Sequence, residues 1–204
     1  MAFYRPSAVE QGQGPCRSVV PLWLTAFPFH TYVAIPNLHT LHTLTSIKLA
    51  TALNKARESH PPLNVLLQVN TSGEDSKSGL PPLQPSSASD DSLLAVARHV
   101  ITSCPNLRLT GLMTIGSLEN SMSTSDQNQD FLTLVRTREV LANYLTHNFP
   151  SADRSPWEDQ TEGLTLSMGM SSDFEAAIRA GSRIVRVGTG VFGERDKKNV
   201  DQGS

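Results

Sequence analysis

The chain has 204 residues, enough for one sizeable core and, at about 150 residues per domain, for one domain rather than two. Its 17 Lys and Arg against 19 Asp and Glu leave a net charge of −2, which argues against nucleic acid or an anionic membrane as a partner, since either recruits a clustered basic excess. Cys16 and Cys104 stand alone without CxxC spacing, which argues against a disulfide scaffold, a structural zinc site or secretion and makes the cytoplasm the default compartment.

Residues 19 to 35, VVPLWLTAFPFHTYVAI, are the one stretch apolar enough to raise a membrane question. Pro21, Pro28 and His30 interrupt it and it is short for a span, so no transmembrane helix is expected. It does not supply a clean secretory signal either, and only a weak organellar (mitochondrial) presequence stays open.

From residue 37 onward, apolar runs of strand length alternate with segments whose apolar residues recur every three to four positions. Asn37 to His42 reads as a strand, and Leu44, Ile47, Ala50, Leu53 and Ala56 as one face of a helix ending before Pro61-Pro62. Asn64 to Asn70 is the next strand; after the polar loop TSGEDSKSGLPPLQPSSASDD, a helix from about Ser92 carries the stripe Leu93, Val96, Ala97, Val100 and Ile101. Leu107 to Ile115 is the third strand, the run SLENSMSTSDQNQD a loop, and Phe131, Leu134, Val135, Arg138, Leu141, Ala142 and Leu145 a long amphipathic helix. A second polar loop over 148–162 precedes a strand at Leu164 to Met168, a helix at Ser172 to Ala180 and a last strand at Ile184 to Val187.

Five strands therefore alternate with four helices. Parallel strands with helical crossovers form a doubly wound sheet or a (β/α)8 barrel, and both place function in the loops after strand C-termini, here beginning at Thr43, Thr71, Gly116, Gly169 and Gly188.

Two of those loops carry chemistry. In SMGMSSDFEAA, Ser172 followed by Glu175 reads as a capping box that starts a helix. Ser171 is a surplus hydroxyl one position earlier, able to join a helix N-terminus in holding an anion, although Asp173 would repel one. In IVRVGTGVFGER the last strand runs into Gly188-Thr189-Gly190, a bend whose backbone N–H groups can form a concave anion site with the Thr189 hydroxyl. Loops after the last two strands are the usual phosphate site of a (β/α)8 barrel. Arg186, in an apolar strand and on the same side as that bend, needs an acceptor, either a carboxylate such as Asp173 or Glu175 or a ligand atom.

Other candidates are weaker. His39 and His42 fall on opposite strand faces and do not form a joint metal site; His30, His60, His99 and His147 are scattered and read as surface residues. No Ser/His/Asp set in a recognisable context and no catalytic residue is assigned.

The segments LLQVNTSGEDSKSGL, LTGLMTIGS, LSMGMSSDFEAAIRAGS and VRVGTGVFGER, in this order from about Ile35 to Arg195, together resemble the pyridoxal phosphate homeostasis protein family, relatives of the N-terminal barrel of alanine racemase. The resemblance implies an incomplete (β/α)8 TIM barrel of about five of eight βα units, binding pyridoxal 5′-phosphate (PLP) at its C-terminal face. It implies that Ser171, the backbone at Met170 and the turn Gly188-Thr189 hold the phosphate, that Arg186 faces the pyridine nitrogen, and that Met113 and Asn70 line the site. It also implies a role in vitamin B6 homeostasis rather than catalysis, with a fold-type III racemase-like enzyme or a degenerate non-binding fragment as alternatives; the racemase would need an opposing acid/base, and Tyr4, Tyr32 and Tyr144 occupy no motif that supplies one.

In that family a lysine at the end of the first barrel strand forms a Schiff base with the cofactor, and residues 1–34 show neither that strand nor the next two βα units. Lys48 and Lys55 fall on an outer helix, Lys197 and Lys198 in a polar tail, and Lys77 in a loop on the ligand face but within the family's EDSKSG segment. The expectation is therefore an N-terminally truncated or mis-joined member: an atypical segment at 1–34 outside the barrel, a partial barrel at 35–195 and a polar tail at 196–204, binding PLP non-covalently as a monomer.

Overall fold

The computed structural model describes residues 38–87, 91–117, 128–149 and 163–193, with 2–4 and 18–20 as backbone alone. Residues 5–17 and 21–37, the greater part of both long polar loops and the chain beyond 193 lie outside the described residues, and with them Cys16, His30, Tyr32, Lys197 and Lys198.

Parallel strands buried on both faces read as almost unbroken apolar runs, and the strands here do so. β3 (Leu38–Leu44), β4 (Leu63–Gln68), β5 (Leu107–Met113), β6 (Thr165–Met170) and β7 (Ile184–Val187) form the body of one sheet. Each pairs in parallel with its neighbour in sequence. Two three-residue strands, β1 (Ala2–Tyr4) and β2 (Ser18–Val20), extend it to the order β1-β7-β6-β5-β4-β3-β2. The sheet is open, an incomplete (β/α)8 barrel. Both short strands lie within 1–34, the segment expected to stand outside the barrel: β2 joins β3 in parallel, and β1 joins β7 antiparallel with Phe3 opposite Arg186.

Helices α1 (Ile47–Ala56), α2 (Ser92–Ser103), α3 (Gln129–Asn148), α4 (Phe174–Arg179) and α5 (Thr189–Phe192) follow successive strands from β3 onward. Three start on side-chain caps that satisfy otherwise unpaired first-turn N–H groups. The Ser46 hydroxyl accepts from Leu49 N at 3.2 Å, the Asp91 carboxylate from Leu93 N at 3.0 Å, and Asn128 Oδ1 from Asp130 N at 2.9 Å. The Ser46 cap moves the start of α1 to Ile47, because Thr43 and Leu44 still belong to the strand and are buried there. The Asn128 cap likewise converts the end of the expected polar loop, Gln129-Asp130, into helix.

The core lies between the sheet and these helices: Leu44, Leu63, Leu67, Leu109 and Leu112 from the strands meet Leu53, Leu93, Leu134 and Leu141, all buried. Asn106 ties the α2–β5 turn to the end of α1, its N–H reaching Asn54 Oδ1 at 2.9 Å and its side chain reaching the Asn54 carbonyl at 3.1 Å. With the helices anchored on the outside, the C-terminal strand ends are free to carry the site.

Candidate functional site: the C-terminal ends of the last strands

Near its end β6 takes a conformation that residues with a side chain rarely adopt. Gly169 has φ of +92°, and a Cβ there would come within 2.5 Å of Ala177 Cβ on α4, so the missing side chain lets the strand end pass close over the helix. The chain then turns through Met170-Ser171-Ser172 into α4.

The expected capping box is not formed. The N-cap of α4 is Asp173, and its carboxylate turns backwards, Oδ1 accepting from Met170 N at 2.6 Å. Ser172 is exposed. The Asp173 carboxylate makes no side-chain hydrogen bond to the first-turn N–H groups of α4 and closes the preceding turn instead. The Met170 N–H assigned to phosphate is thereby held by Asp173.

β7 ends at Val187, and the expected bend Gly188-Thr189 opens one turn of helix, in which Val191 N and Phe192 N donate to the Gly188 carbonyl. The two turns meet at a single atom. Ser171 Oγ accepts from Gly188 N at 2.9 Å and lies 3.4 Å from Gly190 N. Two N–H groups and one hydroxyl thus converge at the junction of the last two strands, with the Thr189 side chain exposed beside them.

Arg186 pairs across the sheet with Met170 and is 4% exposed. Neither carboxylate expected as its partner takes it. Nη1 donates to Ser167 Oγ at 3.0 Å and to the Ser167 carbonyl at 3.4 Å, and Nη2 to the Thr114 carbonyl at 2.7 Å. Burial lowers its pKa to about 10, partly offset by the more distant charge of Asp173, so it remains a cation at neutral pH whose hydrogen-bond partners among the described residues are neutral oxygens.

Ser167 continues the network inward, its Oγ lying 3.2 Å from His42 Nδ1 on β3. Burial first, and the Arg186 charge second, push the pKa of His42 down to about 3, so the imidazole is neutral. Sequence reasoning assigned no role to His42, Ser167 or Thr114. The available signal was polar residues in the buried halves of otherwise apolar strands; His39, three positions from His42, bonds instead to Thr40 and Asn64. Of the other histidines expected at the surface, His147 is exposed, whereas His60 and His99 are half-buried.

Met113 closes β5 as a buried residue directly before Thr114. Asn70, expected to line the site, is spent on its own loop: Nδ2 donates to the carbonyls of Glu74 and Lys77, and Oδ1 accepts from Gly73 N and the Ser72 hydroxyl. That loop is clasped across β5 by Lys77, whose Nζ bonds Glu74 Oε1 at 2.6 Å and the Gly116 carbonyl at 2.7 Å. A 2.8 Å contact between the Thr71 and Thr114 hydroxyls joins it to the Arg186 network. Lys48 and Lys55 are exposed on α1.

The model of the alanine racemase N-terminal domain matches residues 20–196. The chain belongs to that family. It is 44% identical over 167 residues to the pyridoxal phosphate homeostasis protein of Homo sapiens, a match covering 80% of this chain and 53% of that protein. The chain thus spans about half the length of the curated relatives it matches. Among solved structures it resembles a protein from Bifidobacterium adolescentis, with TM-score 0.55, 34% identity and coverage of 78% of this chain and 55% of the other. PipY of Synechococcus elongatus, solved with PLP bound, shares the fold at TM-score 0.54 and 22% identity, covering 80% of this chain and 66% of PipY. In this alanine racemase N-terminal domain, the Ser171–Gly188 junction and the Arg186 network lie at the ends of adjacent strands of one sheet.

Proposed function

We propose that this chain binds PLP non-covalently, anchored by its phosphate at the Ser171–Gly188 junction, and takes part in intracellular vitamin B6 homeostasis rather than catalysis. The observation that carries the reading is the convergence of the Gly188 and Gly190 N–H groups on the Ser171 oxygen. A phosphate oxygen placed there takes over those N–H groups, and the released hydroxyl rotates to become a third donor. Thr189, exposed next to Gly188, adds a fourth.

The residues fit the cofactor in charge as well. Arg186 supplies a permanent cation opposite Met170 and two residues before Gly188, and its hydrogen-bond partners among the described residues are uncharged. Asp173 opposes binding: its carboxylate holds Met170 N, and the phosphate must displace or tolerate it. When bound, PLP supplies an electrophilic aldehyde and an electron-withdrawing ring; the chain's own residues anchor, orient and neutralise the ester. Tyr144, the one tyrosine with a described side chain, packs on α3 against the core rather than at the strand ends, which favours a carrier over a racemase-like enzyme.

In this reading the chain acts in the cytoplasm as a monomer, with PLP as its partner and neither nucleic acid nor membrane; no helix among the described residues is long and apolar enough to cross a bilayer. Equilibrium dialysis with PLP and with pyridoxal tests it. PLP is retained and displaced by inorganic phosphate, whereas pyridoxal is not retained; equal retention of the two refutes phosphate anchoring.

A further inference from the structure

A guanidinium has five N–H groups and no acceptor. Arg186 makes three hydrogen bonds to protein oxygens, at Ser167 Oγ, the Ser167 carbonyl and the Thr114 carbonyl, so donors remain for a ligand. A phosphate ester held at Gly188 and Gly190 places the rest of its body within a few bonds of that site, and Arg186 is two residues from Gly188 and opposite Met170. What fixes the guanidinium is then what fixes the ligand's orientation.

The Ser167 hydroxyl accepts from Arg186 Nη1, which has no lone pair to take the serine proton. That proton has an acceptor at 3.2 Å in His42 Nδ1, provided the imidazole is neutral at that nitrogen. Burial among strand residues and the adjacent guanidinium keep it so. The order of donors along Arg186, Ser167 and His42 is thereby set in one direction, and each link is buried.

We infer that His42 is a positioning residue: by accepting the Ser167 proton it locks Arg186 as a donor toward a ring heteroatom of the bound phosphate ester, making the site selective for pyridine over carbocyclic phosphates. This rests on the phosphate-anchoring reading above and deepens it. His42 itself does not touch the ligand. A hydrogen-bonding site discriminates strongly against an analogue lacking the matching atom, because its own donor is then left unpaired.

The test uses pyridoxine 5′-phosphate, which has the ring nitrogen but no aldehyde to react with a lysine, and phenyl phosphate, which has neither. Their affinities are measured by calorimetry for the unaltered chain and for Ser167→Ala, His42→Leu and His42→Gln. The unaltered chain prefers the pyridine ester by about tenfold, the factor one well-placed charged hydrogen bond supplies. His42→Leu and Ser167→Ala abolish most of that preference while phenyl phosphate binding changes by less than about twofold, and His42→Gln, whose amide oxygen can take the serine proton, restores it.

Equal losses for both esters mean a merely structural role and overturn the inference, as does an unchanged preference in Ser167→Ala, which removes one oxygen and is the informative variant should His42→Leu not fold. If the unaltered chain binds both esters equally, the relay is wrong and phosphate anchoring stands; if it binds neither, both readings fall together.

Discussion

The Ser171 hydroxyl oxygen lies 2.9 Å from the Gly188 backbone nitrogen, joining the turn after β6 to the turn after β7 through one atom. Ser171→Ala removes that bridge and the donor that would face a phosphate. Folding stability should fall by only about 0.5–1.5 kcal/mol, the net worth of a half-exposed hydrogen bond, while PLP affinity drops about tenfold. Chemical denaturation and dialysis measure the two separately, and a loss of stability without a loss of binding would point to a purely structural serine.

Asp173 should act in the opposite direction. Its Oδ1 accepts from Met170 N at 2.6 Å, and Asp173→Asn keeps an amide oxygen for that bond while the negative charge beside the phosphate site disappears. PLP affinity is expected to rise several-fold at low salt, with the gain shrinking as ionic strength increases. Tighter binding by the variant across a salt titration from about 10 to 300 mM checks it; weaker binding means that the carboxylate is not repelling the ligand.

Backbone closeness gives two sharper stability predictions. Gly169→Ala combines a φ of +92° with a contact to Ala177 Cβ at 2.5 Å and should cost about 2–4 kcal/mol. Gly111→Ala should be at least as damaging, since the new Cβ overlaps the backbone carbonyl of its partner Thr165 and would pry β5 from β6. Thermal unfolding reads both, and a shift of under about 2 °C for either would contradict the close approach described.

The neutral, buried His42 makes stability depend on pH. Its folded pKa of about 3 lies below the ordinary histidine value of 6.5, so between those limits the unfolded chain binds a proton that the folded chain refuses. Stability attributable to this group is therefore undiminished above about pH 6.5 and is lost as pH falls toward 3, at about 1.4 kcal/mol per pH unit. Denaturation of His42→Leu between pH 7 and pH 4 should show a slope shallower by about that amount; parallel slopes for the two proteins would mean that the imidazole accepts its proton in the folded state.

How far this was legible in sequence depended on the range of each interaction. Ile184–Val187 was readable to the residue, and β5 and α2 nearly so, because apolar periodicity is local and the Ser92 start follows an acidic cap. The capping box is not formed: α4 starts after Asp173, one residue later than the Ser172–Glu175 spacing implies, and the Asp173 carboxylate bonds Met170 N in the preceding turn, a geometry no spacing rule reveals. For Arg186 the sequence left open a nearby carboxylate or a ligand atom as acceptor, whereas its protein oxygens come from Ser167 and from Thr114, 72 residues away. His42 and Ser167 are 125 residues apart, and no spacing rule joins them. β1 and β2 are too short, at three residues each, to leave any alternation to read.

The account depends most on the two turns forming one anion site. Amide NMR on the chain titrated with PLP, and separately with inorganic phosphate, examines that directly. The prediction is that both ligands move the Gly188 and Gly190 amide resonances, that PLP alone also moves the Arg186 side-chain signals, and that Ser171→Ala weakens both responses. Shifts confined to the Lys77 loop, with Gly188 and Gly190 unmoved at saturating PLP, would contradict it.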